Sequence, residues 1–177
     1  MLIALTGYRG TGKTTVGQLL AERLGWRCVD TDAEIETLAG QSIRQLFDND
    51  GEERFRDLES QVIHHLTRQH KLVLALGGGA VLREDNRQAL SVAGPVVWLR
   101  ATPDTIFRRI CDDPISTEQR PNLTQQGGLS EIEQLLKERL PIYESCADCT
   151  IDTDEMTPAQ IADAILDALD IRPQANL

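Results

Sequence analysis

The chain has 177 residues, 41% of them hydrophobic, with 28 acidic and 18 basic side chains and a formal net charge of −10. That length suits a single α/β domain with a sizeable core, and the acidic balance argues against nucleic acid or an anionic membrane as a partner. No apolar run approaches the ~20 residues of a membrane span, no signal peptide is expected before the first strand, and a cytoplasmic protein is expected.

Strand-like and helix-like segments alternate along the chain, which predicts a parallel sheet with helices on both faces. Leu2 to Thr6 is the first strand, and Thr14 to Leu24 the first helix. Between them Gly7-Tyr8-Arg9-Gly10-Thr11-Gly12-Lys13-Thr14 matches the phosphate-binding pattern G-x-x-x-x-G-K-[ST] in the strand–loop–helix context that the motif needs. Its glycines let backbone N–H groups converge on phosphate oxygens, and the helix start adds its positive dipole end. Lys13 is expected on the β/γ-phosphates and the Thr14 hydroxyl on Mg²⁺.

Arg27 to Asp30 reads as a short second strand. Ser42 to His70 reads as mostly helical, opened by the capping box Ser42-x-x-Gln45 and broken around Asn49-Asp50-Gly51. Lys71 to Leu76 is an apolar third strand running into Gly77-Gly78-Gly79, followed by a helix over Asp85 to Ala93. Val96 to Leu99 is the fourth strand, and Thr102-Pro103 starts another helix with proline in its first turn. The polar stretch from about Asp112 to Gly128 has no element of its own, and so long an irregular segment inside a compact domain is functional or disordered. Ser130-x-x-Glu133 caps a helix to about Leu140, Cys149 to Ile151 is the fifth strand, and Thr157-Pro158-x-Gln160 opens the last helix. No internal repeat or interdomain linker is visible.

Most phosphate-loop proteins hold Mg²⁺ with a second acid at the end of a core strand. Strands three and four end without one, but the second ends in Asp30-Thr31-Asp32. Two carboxylates so spaced can divide the work, one near the metal and one facing the acceptor. The plainer alternative is an aspartate N-cap with a solvated neighbour. The triple glycine is expected to bring backbone N–H groups close to a ligand. Arg54, Arg56, Arg120 and Arg139 are candidates for the pocket, since guanidinium forks suit carboxylate and phosphate oxygens. His64, His65 and His70 read as structural, and Cys146-x-x-Cys149, with no second ligand pair, reads as two reduced thiols.

Together these motifs resemble the shikimate kinase family. The matches are the phosphate loop, Asp30-Thr31-Asp32, Asp50-Gly51-Glu52-x-x-Phe55-Arg56-x-x-Glu59, Gly77-Gly78-Gly79-Ala80, Arg120-Pro121 and Arg139-x-Pro141-x-Tyr143, in the family's order and over most of the chain. The resemblance implies a three-layer phosphate-loop kinase fold with parallel strand order 2-3-1-4-5. It implies one kinase domain over 1–177, with a substrate-binding region at about 31–62 and a lid at about 112–128. The implied reaction is ATP-dependent phosphorylation of the 3-hydroxyl of shikimate, by a protein expected to be a monomer.

The resemblance places Lys13, Asp32 and Arg120 in catalysis. It puts Gly10, Thr11, Gly12, Lys13, Thr14, Thr15, Arg109 and Arg120 on the nucleotide, and Asp32, Arg56, Gly78, Gly79 and Arg139 on shikimate. Thr14, and Asp30 through water, would hold Mg²⁺. The chain departs from the family pattern at Asn122, where an aliphatic residue is more usual, in a slightly longer lid, and at Asp152-Thr153-Asp154-Glu155, which lacks a basic residue near the adenine. A gluconate-type kinase of the same fold and a catalytically silent sensor are the alternative readings.

Overall fold

A computed structural model of the chain describes residues 1–112 and 128–172. The elements run β1 (Leu2–Thr6), α1 (Lys13–Leu24), β2 (Arg27–Asp30), α2 (Thr31–Ala39), α3 (Ile43–Leu66), β3 (Leu72–Ala75), α4 (Glu84–Ala93), β4 (Val96–Arg100), α5 (Pro103–Asp112), α6 (Gly128–Cys146), β5 (Cys149–Asp152) and α7 (Pro158–Ala168). The five strands form one parallel sheet in the order β2-β3-β1-β4-β5, as expected.

The period of two along each strand divides the apolar residues between two layers. Leu2 and Ala4 of β1, Leu72 and Leu74 of β3, and Val96 and Trp98 of β4 face a core closed by α2, α3, α4 and Tyr143 of α6. Ile3, Leu5, Val73, Val97 and Leu99 face the other way, against Val16, Leu20 and Leu24 of α1 and Ile161 and Ile165 of α7. Every residue of β1 is buried, so the central strand reads as a continuous apolar run, as strands covered on both faces do.

The helix ends follow local chemistry. Gly25, at φ 65°, closes α1, with Trp26 N–H donating to Ala21 O and Gly25 N–H to Glu22 O. Ser42 with Gln45 and Thr157 with Gln160 both form complete capping boxes. The interruption expected near residue 50 is at Gly51, φ 81° and ψ 172°, inside the span of α3.

Two expectations need correction. Helix α2 has no counterpart in the sequence reading, because its nine residues bury only Thr31 and Ile35 and show no apolar stripe. It forms because Asp30 caps it, Gly40 ends it in a left-handed turn, and it packs on α3. Helix α6 opens at Gly128, so Ser130 is already helical, and it runs through Pro141 to Cys146. The turn after the proline is held by Tyr143, which is fully buried, stacks on Trp98 at 5.6 Å and donates its hydroxyl to Gly78 O at 2.6 Å. The segment read as a lid, with Arg120, lies outside the described residues apart from its two ends. The four cysteines are free thiols.

Leu74, fully buried in the middle of β3, tests the core on the side that carries the cavities. Leu74→Ala is expected to lower unfolding free energy by about 2–5 kcal/mol. Urea titration should show a lower midpoint at an unchanged slope.

Candidate active site

The phosphate loop leaves β1 and turns into α1 through Gly10 at φ 79° and Gly12 at φ 88°, conformations that cost other residues energy. Lys13 folds back over the loop and donates from Nζ to Gly7 O and Tyr8 O, both at 2.8 Å. Gly10, Gly12, Lys13, Thr14 and Thr15 line a cavity of about 1280 Å³ that also reaches Asp30, Asp32 and Gly78. Thr11 is buried behind it and donates to Tyr8 O at 2.9 Å.

Asp30-Thr31-Asp32 puts each member to a separate use. Asp30 accepts Asp32 N–H at 2.9 Å through Oδ1, as the N-cap of α2, and the Thr14 hydroxyl at 2.7 Å through Oδ2. The plain N-cap reading therefore holds for one oxygen of this carboxylate, while the other is turned to the phosphate loop. Buried Thr31 accepts Gly77 N–H at 2.9 Å and so ties the end of β2 to the end of β3. Asp32, in the first turn of α2, points to the junction of two cavities.

The second cavity, of about 560 Å³, lies between α3, α6 and the loop after β3. Ile43, Phe47 and Phe55 supply apolar wall, and Arg9, Arg56 and Arg139 line it together with Asp32 and Glu59. Arg56 is held by two carboxylates of its own helix. Nη1 donates to Glu59 Oε2 at 2.7 Å and Nη2 to Glu52 Oε1 at 3.2 Å. Glu59 is 1% exposed, and burial pushes its carboxyl above the ordinary range against the lowering pull of Arg56. Arg139 reaches Gly78 O at 3.4 Å and stands 5.8 Å from the centre of the Tyr8 ring. The same Gly78 carbonyl accepts the Tyr143 hydroxyl, whose pKa burial raises to about 12.

The triple glycine clears space for side chains as well as for a ligand. A Cβ on Gly77 would stand 2.6 Å from Asp32 Oδ1, and one on Gly79 2.5 Å from Arg56 Nη1. One on Gly78 would reach the phosphate loop, 3.4 Å from Arg9 N.

Several expected residues converge: Lys13, Thr14, Asp30, Asp32, Arg56, Gly78, Gly79 and Arg139 line the two adjoining cavities. Arg54 is exposed and lines neither, a correction that follows from its position on α3, two residues before Arg56. Arg109 on α5 lies apart from both. It donates to Thr153 Oγ1 at 3.0 Å and Thr153 O at 2.6 Å in the turn after β5, and burial lowers its pKa. His64, His65 and His70 are exposed and outside both cavities. Tyr8, Arg9 and Tyr143 carry structure that the sequence reading gave no role. The one signal for Arg9 was a charge at a position that the phosphate-loop pattern leaves open.

A sequence model of the family described as shikimate kinase matches residues 9–170. A shikimate kinase of Rhodopirellula baltica is 42% identical over 164 residues, covering 93% of this chain and 88% of that one. The solved shikimate kinase of Acinetobacter baumannii, in complex with shikimate, superposes with a TM-score of 0.89 at 38% identity, over 95% of this chain and 92% of that one. A gluconokinase of Sinorhizobium meliloti superposes with a TM-score of 0.57 at 17% identity, covering 95% of this chain and 90% of that one, and shares the fold alone. With its sheet order, its phosphate loop and this likeness over nearly its whole length, the chain belongs to the shikimate kinase family.

Proposed function

We propose that the chain transfers the γ-phosphoryl group of ATP to the 3-hydroxyl of shikimate, giving shikimate 3-phosphate in the biosynthesis of chorismate and aromatic amino acids. The observation that carries this reading is the pair of adjoining cavities, one walled by a phosphate loop and the other by arginines, with Asp32 on the wall they share.

Shikimate is a small anionic polyol. Arg56 and Arg139 suit its carboxylate, because guanidinium forks match two carboxylate oxygens. The backbone at Gly78 and Gly79 suits its hydroxyls. ATP phosphates fit the larger cavity, against the N–H groups of Gly10 to Thr15 and the Lys13 ammonium. Asp32 then accepts the proton of the 3-hydroxyl as its oxygen bonds to the γ-phosphorus and the bond to the β,γ-bridging oxygen breaks, releasing ADP. Such a transfer is mostly positioning and charge stabilisation. Arg120 belongs to the same reading as a second cation on the transferring phosphoryl group, and Arg109 as a contact on the nucleotide side.

Thr14 and Asp30 fit Mg²⁺. They present hard oxygen donors 2.7 Å apart at the phosphate cavity, and no cluster of three or more His, Cys, Asp or Glu stands ready to enclose a metal among the described residues. Mg²⁺ favours such sparse protein coordination, filling its shell with water and phosphate oxygens. Asp30 would act through water. When bound, the ion neutralises phosphate charge.

The reading takes the chain as one kinase domain, with 31–62 contributing the substrate region and 112–128 the lid, acting as a cytoplasmic monomer without nucleic-acid or membrane partners. Among the described residues no helix is long and apolar enough to cross a membrane. A gluconate-type kinase rests on fold likeness alone, and a silent sensor would not need Lys13 and Asp32 in place.

An ADP-release assay with shikimate, gluconate or no acceptor separates the three. Release with shikimate alone is expected. Lys13→Ala should lower kcat by about 10²–10³-fold while the fold persists, and a near-wild-type kcat would remove Lys13 from its role.

Arg56→Ala and Arg139→Ala should each weaken shikimate by about 2–5 kcal/mol while leaving ADP affinity nearly as it was. The double variant should fall short of the sum if both hold one carboxylate. Titration calorimetry measures all three, and full additivity would argue against a shared clamp.

Gly77→Ala follows from the clearance at Asp32. The added methyl must displace the Asp32 carboxylate, so kcat should drop by about 10²-fold. ADP binding should persist, because Gly77 does not line the phosphate cavity. A normal kcat in the Gly77→Ala variant would show that Asp32 has no fixed position to lose.

A further inference from the structure

The loop residues Tyr8 and Arg9 occupy positions that the phosphate-binding pattern leaves open, and both turn toward α6. Arg9 Nη2 donates to Glu131 Oε1 at 3.2 Å across 122 residues of sequence. The Glu131 side chain is fully buried and that of Arg9 is 16% exposed. Glu131 sits in the first turn of α6, where the helix dipole favours a carboxylate. Eight residues and roughly 2.2 turns further along the same helix, Arg139 stands over the ring of buried Tyr8. Helix α6 therefore rests on the phosphate loop at two points about 12 Å apart along its axis.

Arg9 also lines both cavities. Of the four residues that do so, Arg9, Asp32, Ile43 and Gly78, it is the cation. The geometry points to Arg9 and Glu131 as a positioning pair that couples the two sites: through it the phosphate loop fixes where α6, and with it Arg139, stands for shikimate. The inference rests on the ATP and shikimate reading above and adds a role for two residues.

The physical basis is a contact with one good arrangement. Moving the loop away from the helix would break this charge-assisted contact to a buried carboxylate, which ties the position of one to the position of the other. Nucleotide phosphates fix the loop backbone that carries Arg9. The shikimate carboxylate fixes Arg139. Each ligand thus orders the same loop–helix junction for the other. Coupling of this kind is reciprocal and commonly spans about 5- to 150-fold in affinity. Arg9 acts through Arg139 and not on the reacting atoms, so its signature is the interaction between the two ligands.

The experiment is calorimetric titration of shikimate into the protein alone and into protein saturated with ADP and Mg²⁺, then of ADP with and without shikimate. The wild type is expected to bind shikimate at least about 5-fold more tightly with ADP present, and ADP more tightly with shikimate by the same factor. In Arg9→Met and in Glu131→Gln that factor should fall toward one, whatever the affinity for shikimate alone. Arg9→Lys, which keeps the charge, should recover part of it.

If either single variant fails to fold, Arg9→Met/Glu131→Gln removes both charges together and should still show the lost factor. Arg56→Ala, which weakens shikimate directly, should keep the factor. A wild type whose affinities are independent of the other ligand, or variants that keep the full factor, overturns the coupling role. A wild type that binds ADP and no shikimate overturns the substrate assignment itself, and the coupling with it.

Discussion

Two loops that leave neighbouring strands and touch are the constraint on which the site depends. β1 and β3 are paired in register from Leu2–Leu72 to Leu5–Ala75, and Leu76 N–H still donates to Leu5 O at 3.0 Å. Parallel strands end at the same edge of the sheet, so the phosphate loop and Gly77-Gly78-Gly79 emerge side by side. Backbone then lies against backbone at Gly78, while Gly77 and Gly79 leave room for Asp32 and Arg56. A side chain at Gly77 would displace Asp32 and one at Gly79 would displace Arg56, whereas one at Gly78 would stand in contact with the phosphate loop. That spacing brings the phosphate cavity and the arginine cavity to a common wall. Ligands at the carboxyl ends of parallel strands follow the same rule in other open α/β sheets.

Charge is arranged on this frame locally and not by the bulk of the molecule. A chain with net charge −10 lines its smaller cavity with three guanidinium groups and two carboxyl groups. The guanidinium groups are placed in advance by partners within the protein. Buried Glu59 takes Arg56, buried Glu131 takes Arg9, and the Gly78 carbonyl with the Tyr8 ring takes Arg139. Side chains already held in place lose less rotational freedom on binding, and in a site shielded from water their fields act more strongly. The buried carboxylates thus serve orientation as much as stability.

Helix α6 is the element in which structure and function are hardest to separate. Its Tyr143 fills the core against Trp98 and also holds the Gly78 carbonyl. Its Arg139 faces the arginine cavity, and its Glu131 reaches the phosphate loop. A helix that only carried Arg139 to the cavity could end before Pro141. This one continues because the turn beyond the proline anchors the backbone on which the contacts are built.

Much of this was legible in residue order. Apolar period and turn chemistry placed all five strands, the capping boxes at Ser42 and Thr157 and the break at Gly51, because those features depend on residues within a few positions of one another. The phosphate loop and Asp30-Thr31-Asp32 were legible for the same reason. Helix α2 was not, since its nine residues bury too little to leave a periodic pattern. Nor was the reach of α6 beyond Pro141, which depends on a tyrosine packing against a strand more than 40 residues away. The sequence by itself determined the strand–loop–helix units and the kinds of chemistry available, since these follow from local backbone preference and residue type. Only the tertiary structure decided which arginines share a cavity, why three glycines stand in a row, and that Arg9 meets Glu131. Those depend on distances between segments that approach one another only when the sheet has closed its two layers.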